Sequence, residues 1–367
     1  MNQTPENLAA KFRINKDALA LLRNGRNLLA FSHGVDSTAL FYILQNLGIK
    51  FDLAIMDYGA RAQSRDEVAA ARELASEFSK RIFVREARVL GANFESRARA
   101  ARYAFFDEIC ASEGYGNLIL AHQLDDRFEW FLMQFSKGAG LNELIGMREI
   151  SSRGDVNLVR PLLNVSKREL KFWLDERGIK YFVDGSNFDD KFSRNAFRRD
   201  FSEPFLARFK SGAARSFEIL ERDARVLEPK ILKAGGRVYL VRMDVNFVRG
   251  ADRVCKILGV LLSAAQRREC ERCLQKGVDF ALAGKIAIGA SSPLPRRENF
   301  TARTEQTKRK PQDAYEKFIL ITPYVSKIKM DKKFKEACRT AKISPINRRF
   351  LFSRGISPSE ILASFAD

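Results

Sequence analysis

The sequence predicts an α/β protein, with an N-terminal domain built on a parallel sheet followed by a helical domain and a small α+β C-terminal domain. Three observations predict it. Short apolar runs alternate with helix-period segments through the first half of the chain, the pattern of parallel strands joined by crossover helices. Apolar residues recur mostly at helical spacing over residues 205–283. Residues 291–312, rich in Pro, Arg, Lys and Thr, lack an apolar period and read as a linker or basic loop before a last strand and helix. At 367 residues the chain exceeds the usual size of one domain, and the expected division is 1–204, 205–290 and 291–367.

Residues 27–32 read as a buried strand and 37–47 as a helix that Gly48 ends. A strand over 51–56, a helix over 65–79 and a strand over 81–85 follow. A helix over 95–112 then leads to a strand over 117–121 and a helix over 125–135. Such sheets bind ligands beyond the carboxyl ends of their strands, where Ser32, Asp57 and His122 are expected. Past Pro161 come a helix over 167–177 and a polar loop over 184–195. The helical domain is expected over 205–229 and 251–283, around a hairpin-like piece at 237–243. The last domain reads as a strand over 318–322, a helix over 331–341 and a basic turn through Arg348 and Arg349.

Hydrophobic residues at 46% and charged residues at 30% exclude a mainly disordered chain. With 64 Lys plus Arg against 45 Asp plus Glu, the net charge of +19 attracts polyanions, so nucleic acid is the expected partner. Residues 1–10 lack the basic start and apolar stretch of a secretory leader, and 257–265 is about half the length needed to span a bilayer, so neither export nor membrane insertion is expected. The five scattered cysteines, Cys110, Cys255, Cys270, Cys273 and Cys338, suit a reducing cytoplasm. Only Cys270 and Cys273 have ligand-like spacing, and nothing nearby completes a zinc set.

The strongest local signal is Ser32-His33-Gly34-Val35-Asp36-Ser37, between a buried strand and a helix. Small residues there leave backbone N–H groups unscreened, and the helix start adds partial positive charge, which together cradle phosphate. Ser32 and Ser37 can donate hydroxyl hydrogen bonds, while Asp36 would repel phosphate unless it holds Mg²⁺ against it. Asp36 and Ser37 are equally ordinary helix-capping residues, so the segment alone leaves both readings open. A second cluster, His122, Asp125, Asp126 and Glu129, offers paired carboxylates that can share a divalent ion and a histidine that can move protons. Its plainer reading is that Asp125 caps a helix and Asp126 favours the positive end.

The first segment resembles the SGGxDS loop of the PP-loop ATP pyrophosphatases, with His33 where that family has glycine. Histidine is among the few side chains enriched at positive φ. Residues 121–129 resemble the motif of the tRNA(Ile)-lysidine synthetases, a PP-loop family, with Arg127 and Trp130 replacing the usual glutamine and threonine. Further matches follow in order: Glu95, Arg99, Arg102 and Tyr103; Lys137 to Gly140 and Gly146-Met147; Leu158 to Leu163; Asp184 to Asn187; Ser193, Arg194, Asn195 and Arg198. Ile55 and Tyr58 stand where that family often has histidines, although Gly59 and Arg61 fit. The resemblance spans about 28–200 and weakens beyond, to helical spacing and the basic segment 332–349.

The resemblance implies a PP-loop (adenine nucleotide alpha hydrolase-like) fold for the N-terminal domain and a tRNA-binding role for the helical one. It implies a cytoplasmic ligase that uses ATP and Mg²⁺ to join free L-lysine to C2 of the wobble cytidine of tRNA(Ile) with a CAU anticodon. The reaction passes through an adenylated base, yields lysidine, AMP and pyrophosphate, and switches decoding from AUG to AUA. Ser32, His33, Gly34, Val35, Asp36, Ser37 and Met56 are then placed at the nucleotide, with Asp36 and Asp125 at Mg²⁺. Asp36, His122, Asp125 and Asp126 form the catalytic set, and Glu129, Arg99, Arg102, Arg194 and Asn195 contact lysine or tRNA. A carboxylate or His122 must take the lysine proton, and Asp125, Asp126 and Glu129 are candidates to receive the ammonium. The oligomeric state, a homodimer included, is left open. A tRNA thiolase of the same class is one rival, but it generally needs cysteine nucleophiles and residues 32–195 hold only Cys110. A non-catalytic tRNA-binding protein is another, opposed by the retained Asp36, Ser37, Asp125, Asp126 and Asn195.

Overall fold

The structure, a computed structural model, describes residues 4–58, 63–87, 94–183, 196–295 and 315–363. The chain forms two compact units, Met1–Ala224 and Arg225–Asp367.

The first unit opens with two short helices, α1 (Pro5–Lys11) and α2 (Lys16–Asn24), started by the side-chain caps Thr4 and Asn15. They bury Leu8, Phe12, Leu19 and Leu22. The βα alternation then runs as expected: β1 (Asn27–Ala30), α3 (Val35–Asn46), β2 (Asp52–Asp57), α4 (Gln63–Glu77), β3 (Ile82–Glu86), α5 (Phe94–Glu113), β4 (Asn117–Ile119) and α6 (Leu124–Phe135). A short helix α7 (Leu141–Ile145) precedes a hairpin of β5 (Ile150–Arg153) and β6 (Val156–Val159), and α8 (Lys167–Asp175) follows. The sheet order is β3-β2-β1-β4-β6-β5, parallel except for β5. The hairpin was not read from the sequence, because its four-residue strands carry Ser151, Ser152 and Asn157 and show no strong apolar alternation.

Strand periodicity explains how the sheet is covered on both faces. Leu29, Leu53 and Ile119 point into one core with Leu40, Phe41, Ile43 and Trp173, whereas Leu28, Ala54 and Leu118 point into the other with Phe105, Phe106 and Ile109. Phe12 meets Trp173 edge-on at 5.5 Å, which fixes the N-terminal helices to α8. A single π-helical turn, Arg198–Ser202, runs into α9 (Glu203–Val226), which leaves helical geometry only at Phe209. The division expected near Pro204 therefore falls in the first turn of a helix, a position that tolerates proline because the N–H there has no intrahelical acceptor.

The second unit is a five-stranded antiparallel sheet of order β7-β8-β11-β10-β9, made of β7 (Ile231–Lys233), β8 (Tyr239–Arg242), β9 (Phe280–Leu282), β10 (Ile286–Pro295) and β11 (Tyr315–Pro323). Its helices are α10 (Phe247–Ile257), α11 (Ala264–Gln275), α12 (Lys332–Thr340), α13 (Pro345–Ser353) and α14 (Pro358–Ala363). Val241, Ile288 and Ile319 pack with Val254, Cys255 and Leu274 on one face, and Leu240 and Leu320 pack with Cys338 and Leu351 on the other. Strands thus interleave with the helices of 205–283; three- or four-residue strands are too short to show a period, and β8 pairs with the distant β11. Residues 291–295, read as the start of a linker, continue β10, and 296–312 lie outside the described residues. No described helix is long and apolar enough to cross a membrane.

Candidate active site

β1 lies between β2 and β4, and the chain builds β2 and β3 on one side before returning to β4 on the other. The carboxyl ends of β1 and β4 therefore flank the topological switch point, where parallel sheets open a ligand crevice. The turn after β1 bends at His33, which takes φ 56°, a left-handed backbone that histidine tolerates better than most residues. Its ring is buried between Phe31 and Phe182, with centroids 5.1 and 5.2 Å away. Burial holds the imidazole pKa below its ordinary value, partly offset by a hydrogen bond with the Glu67 backbone. The Phe182 N–H donates to the His33 carbonyl at 2.9 Å. His33, expected at the nucleotide, lends the turn its backbone, while the imidazole packs among aromatic rings.

Gly34 starts α3 with no side-chain cap. No side chain caps the first N–H groups of α3, and like those of any helix start they lack acceptors within the helix, which favours an anion there. Ser37 braces the turn, since its Oγ donates to the Gly34 carbonyl at 3.2 Å and accepts from the Ser32 N–H at 3.2 Å. Ser32, exposed and 3.1 Å from Ser37 Oγ, is the hydroxyl more available to a ligand.

Asp36 occupies the first turn of α3, and its Oδ1 is buried without a hydrogen-bond partner. Burial pushes its carboxyl up to about 7, helped by Asp126 and Asp125 and opposed by Lys167 and Arg198. Three carboxylates and two cations from four elements thus share one field. Asp125 is not the helix cap that the plainer reading made it. Gln123 caps α6, and the Asp126 carboxylate accepts from the Gln123 N–H at 3.2 Å. Asp125 instead accepts the Lys167 N–H through Oδ2 at 2.9 Å, joining the starts of α6 and α8. Burial raises its carboxyl to about 6 against that hydrogen bond, with Asp126 and Glu129 adding to the rise.

Glu129, expected to contact substrate, is fully buried in this structure and accepts a two-pronged pair of hydrogen bonds from Arg198. Met56 near the end of β2 and His122 just past β4 stand half-buried at the same edge of the sheet. Arg102 reaches that edge through its electrostatic contact with Tyr58. Arg99 is exposed, 4.9 Å above the Tyr103 ring, and no described hydrogen bond or ion pair joins Arg99 or Arg102 to the acidic centre. Arg194 and Asn195 lie outside the described residues, as do Gly59, Arg61, residues 184–187, Ser193 and the side chain of Glu95.

A PP-loop domain model matches residues 6–204. The tRNA(Ile)-lysidine synthase of Campylobacter jejuni subsp. jejuni is 40% identical over 351 residues, 95% of this chain and 99% of that protein. The chain belongs to the tRNA(Ile)-lysidine synthase family. The Wolinella succinogenes tRNA(Ile)-lysidine synthase is 36% identical over 91% of this chain and 95% of its own length. Among solved structures, the U34-tRNA thiolase NcsA from Methanococcus maripaludis aligns with 59% of this chain and 79% of its own, at 19% identity and a TM-score of 0.48.

As a lysidine synthase, the chain departs from the motif of its family at two positions, and the structure explains both. Arg127 is fully buried and donates to Glu221 at 2.9 Å and Asn164 at 3.3 Å, with its guanidinium 4.4 Å from the Phe217 ring centroid. It ties α6 to α9. Trp130 donates its indole N–H to the Glu143 carbonyl at 2.8 Å and lies so close to Gly146 that any side chain there would collide with the ring. Sequence reading missed Lys167, and it matched Arg198 only as a motif letter. Lys167 carried a usable signal, because it follows the Ser166 cap of a Ser-x-x-Glu capping box and so stands at the open start of a helix.

Among the described residues no group of three His, Cys, Asp or Glu could hold a metal by itself. Mg²⁺ seldom needs such a cage, since one or two carboxylates plus substrate phosphates and water complete its shell. A buried, unpartnered Asp36 oxygen beside two further carboxylates fits that mode.

Proposed function

We propose that this lysidine synthase binds ATP with its triphosphate on the open start of α3 and adenylates the wobble cytidine of tRNA(Ile) bearing a CAU anticodon. Free L-lysine then replaces AMP. The observation that carries the reading is the start of α3, free of any side-chain cap, beside the buried and unpartnered Asp36 oxygen, at the sheet's switch point.

In the first step the C2 oxygen of the base bonds to the α-phosphorus and the bond to the β-phosphate oxygen breaks. Charge grows on pyrophosphate, and the N–H groups of the turn, fixed before reaction, stabilise it without reorganising. Mg²⁺, when bound, supplies neutralising charge at the phosphates, held by Asp36 with help from the Asp125 and Asp126 pair. Lys167 and Arg198 hold positive charge at the same place through the chain's own side chains. In the second step the lysine ε-nitrogen bonds to C2 and the C2–O bond to AMP breaks. The ammonium must lose a proton first, and a base poised near working pH does this best. Asp125, with its carboxyl raised to about 6, suits that task, and His122 stands at the same sheet edge.

The basic helices beyond the catalytic part, from 205 onward, are proposed to hold the tRNA, consistent with the net charge of +19. Sulfur delivery has no support: the only cysteine of the first unit, Cys110, is buried and its thiol is pushed up to about 11. The test is incubation of the chain with labelled lysine, ATP, Mg²⁺ and unmodified tRNA(Ile). The expected result is label retained on RNA with AMP and pyrophosphate released; ATP-independent RNA binding with no label would overturn the proposal.

A further inference from the structure

We infer that a row of phenylalanine rings on α6 and α9 is a stacking platform for unpaired bases of the RNA loop that flanks the reacting nucleotide. On α6, Phe128, Phe131 and Phe135 lie on one face, with Phe128 to Phe131 at 6.2 Å and Phe131 to Phe135 at 5.8 Å, the rings within 13° of parallel. Phe205 continues the row, 4.8 Å from Phe128 at 19°, and Phe209 lies 5.1 Å beyond it. Phe201 precedes these on the π-helical turn. Four-residue spacing from Phe201 through Phe205 to Phe209 keeps the rings on neighbouring positions of one helical surface.

Phe128 is anchored in a buried cluster that Phe131 packs against, but the outer rings are not core. Phe135 is 64% exposed, Phe201 56% and Phe209 55%, an apolar face that a soluble protein keeps only where something covers it. Charge selects the occupant. Arg208 and Arg215 rise from the same helix, exposed and without a carboxylate partner among the described residues, and Lys137 stands exposed just past Phe135. Aromatic faces interleaved with unpaired cations suit single-stranded nucleic acid, in which each base offers a π-face and each phosphate a charge. Position agrees: Arg198, on the same turn as Phe201, is one of the two cations in the field of Asp36 and grips Glu129 on α6. A base delivered to Asp36 must leave its stack, and its neighbours in the loop then need new stacking partners.

This inference rests on RNA being the substrate, and its test separates the two. The full chain is titrated with an unmodified tRNA(Ile) transcript carrying 2-aminopurine beside the wobble position, whose fluorescence falls on stacking. A Phe201→Leu/Phe209→Leu variant keeps apolar bulk at two exposed positions but removes the rings. We expect it to bind the transcript about tenfold or more weakly and to lose the quench, with ATP affinity unchanged and Phe201→Tyr/Phe209→Tyr restoring both. Wild-type RNA affinity and quench in the leucine variant would overturn the platform. So would unchanged RNA binding with a loss of dimer in sedimentation, which would assign the face to a second copy of the chain. Lysine incorporation by the unaltered chain is read in parallel: its absence alongside ring-dependent RNA binding would fault the proposed chemistry and not the platform.

Discussion

Arg198 holds the buried Glu129 carboxylate through two hydrogen bonds, Nε to Oε1 at 2.6 Å and Nη2 to Oε2 at 3.2 Å. The pair fastens the π-helical turn to α6 and sets a guanidinium in the field of Asp36. Removing one member leaves the other charge buried and unmatched, which costs about 3–5 kcal/mol. Arg198→Ala should therefore lower stability in urea by that order, since Glu129 is fully buried. A loss below about 1 kcal/mol, the range of surface ion pairs, would show that the pair does not fasten the turn.

The buried pair of Arg127 and Glu221 should behave differently when both members go. Replacing one partner strands a charge, whereas replacing both with apolar groups of similar size is often neutral. Arg127→Met and Glu221→Leu are each expected to destabilise by about 3 kcal/mol or more, and the double variant to recover most of it. Additive losses in the double-mutant cycle would contradict the pairing.

Glu149 supplies a pH signature away from the acidic centre. Burial, with Glu221 and Glu218 adding to it, raises its carboxyl to about 7 from an ordinary 4.5, against the Asn15 hydrogen bond and Arg127. A carboxyl raised in the folded state favours folding when protonated. Its contribution is thus full below about 4.5 and is lost as pH rises through about 7. Glu149→Gln should be the more stable form above pH 7, by about 3 kcal/mol, with a flatter stability profile between pH 5 and 7. An unchanged slope in urea denaturation across that window would refute the assignment.

The His33 ring packs with Phe31 and Phe182, so the phosphate turn should not need it. His33→Gly keeps the positive φ without strain but removes buried ring contacts. ATP affinity is expected to stay within about threefold (roughly 0.6 kcal/mol) while stability falls, read by nucleotide titration and thermal melting. A large loss of ATP affinity in a folded variant would put the imidazole at the phosphates.

The catalytic half was legible because its elements are local: β1, the turn at 31–34 and α3 each show their own period, and the motif residues sit where those periods change. What was hidden depends on residues far apart in sequence. The Arg198 grip on Glu129 spans 69 positions and that of Arg127 on Glu221 spans 94, so neither partner advertises the other. The His33 ring could not be placed without Phe182, and β7, β8 and β9 of the second unit, three or four residues each, are too short to show a period.

Asp36→Asn is the most direct trial of the phosphate-bearing turn. The variant removes a buried carboxylate whose ionisation is already disfavoured, so it should fold at least as well as the parent above pH 7. Lysine incorporation into tRNA(Ile), measured with saturating lysine and Mg²⁺, should fall by about a hundredfold or more. A folded Asp36→Asn protein that still incorporates lysine at near the parental rate would contradict the account.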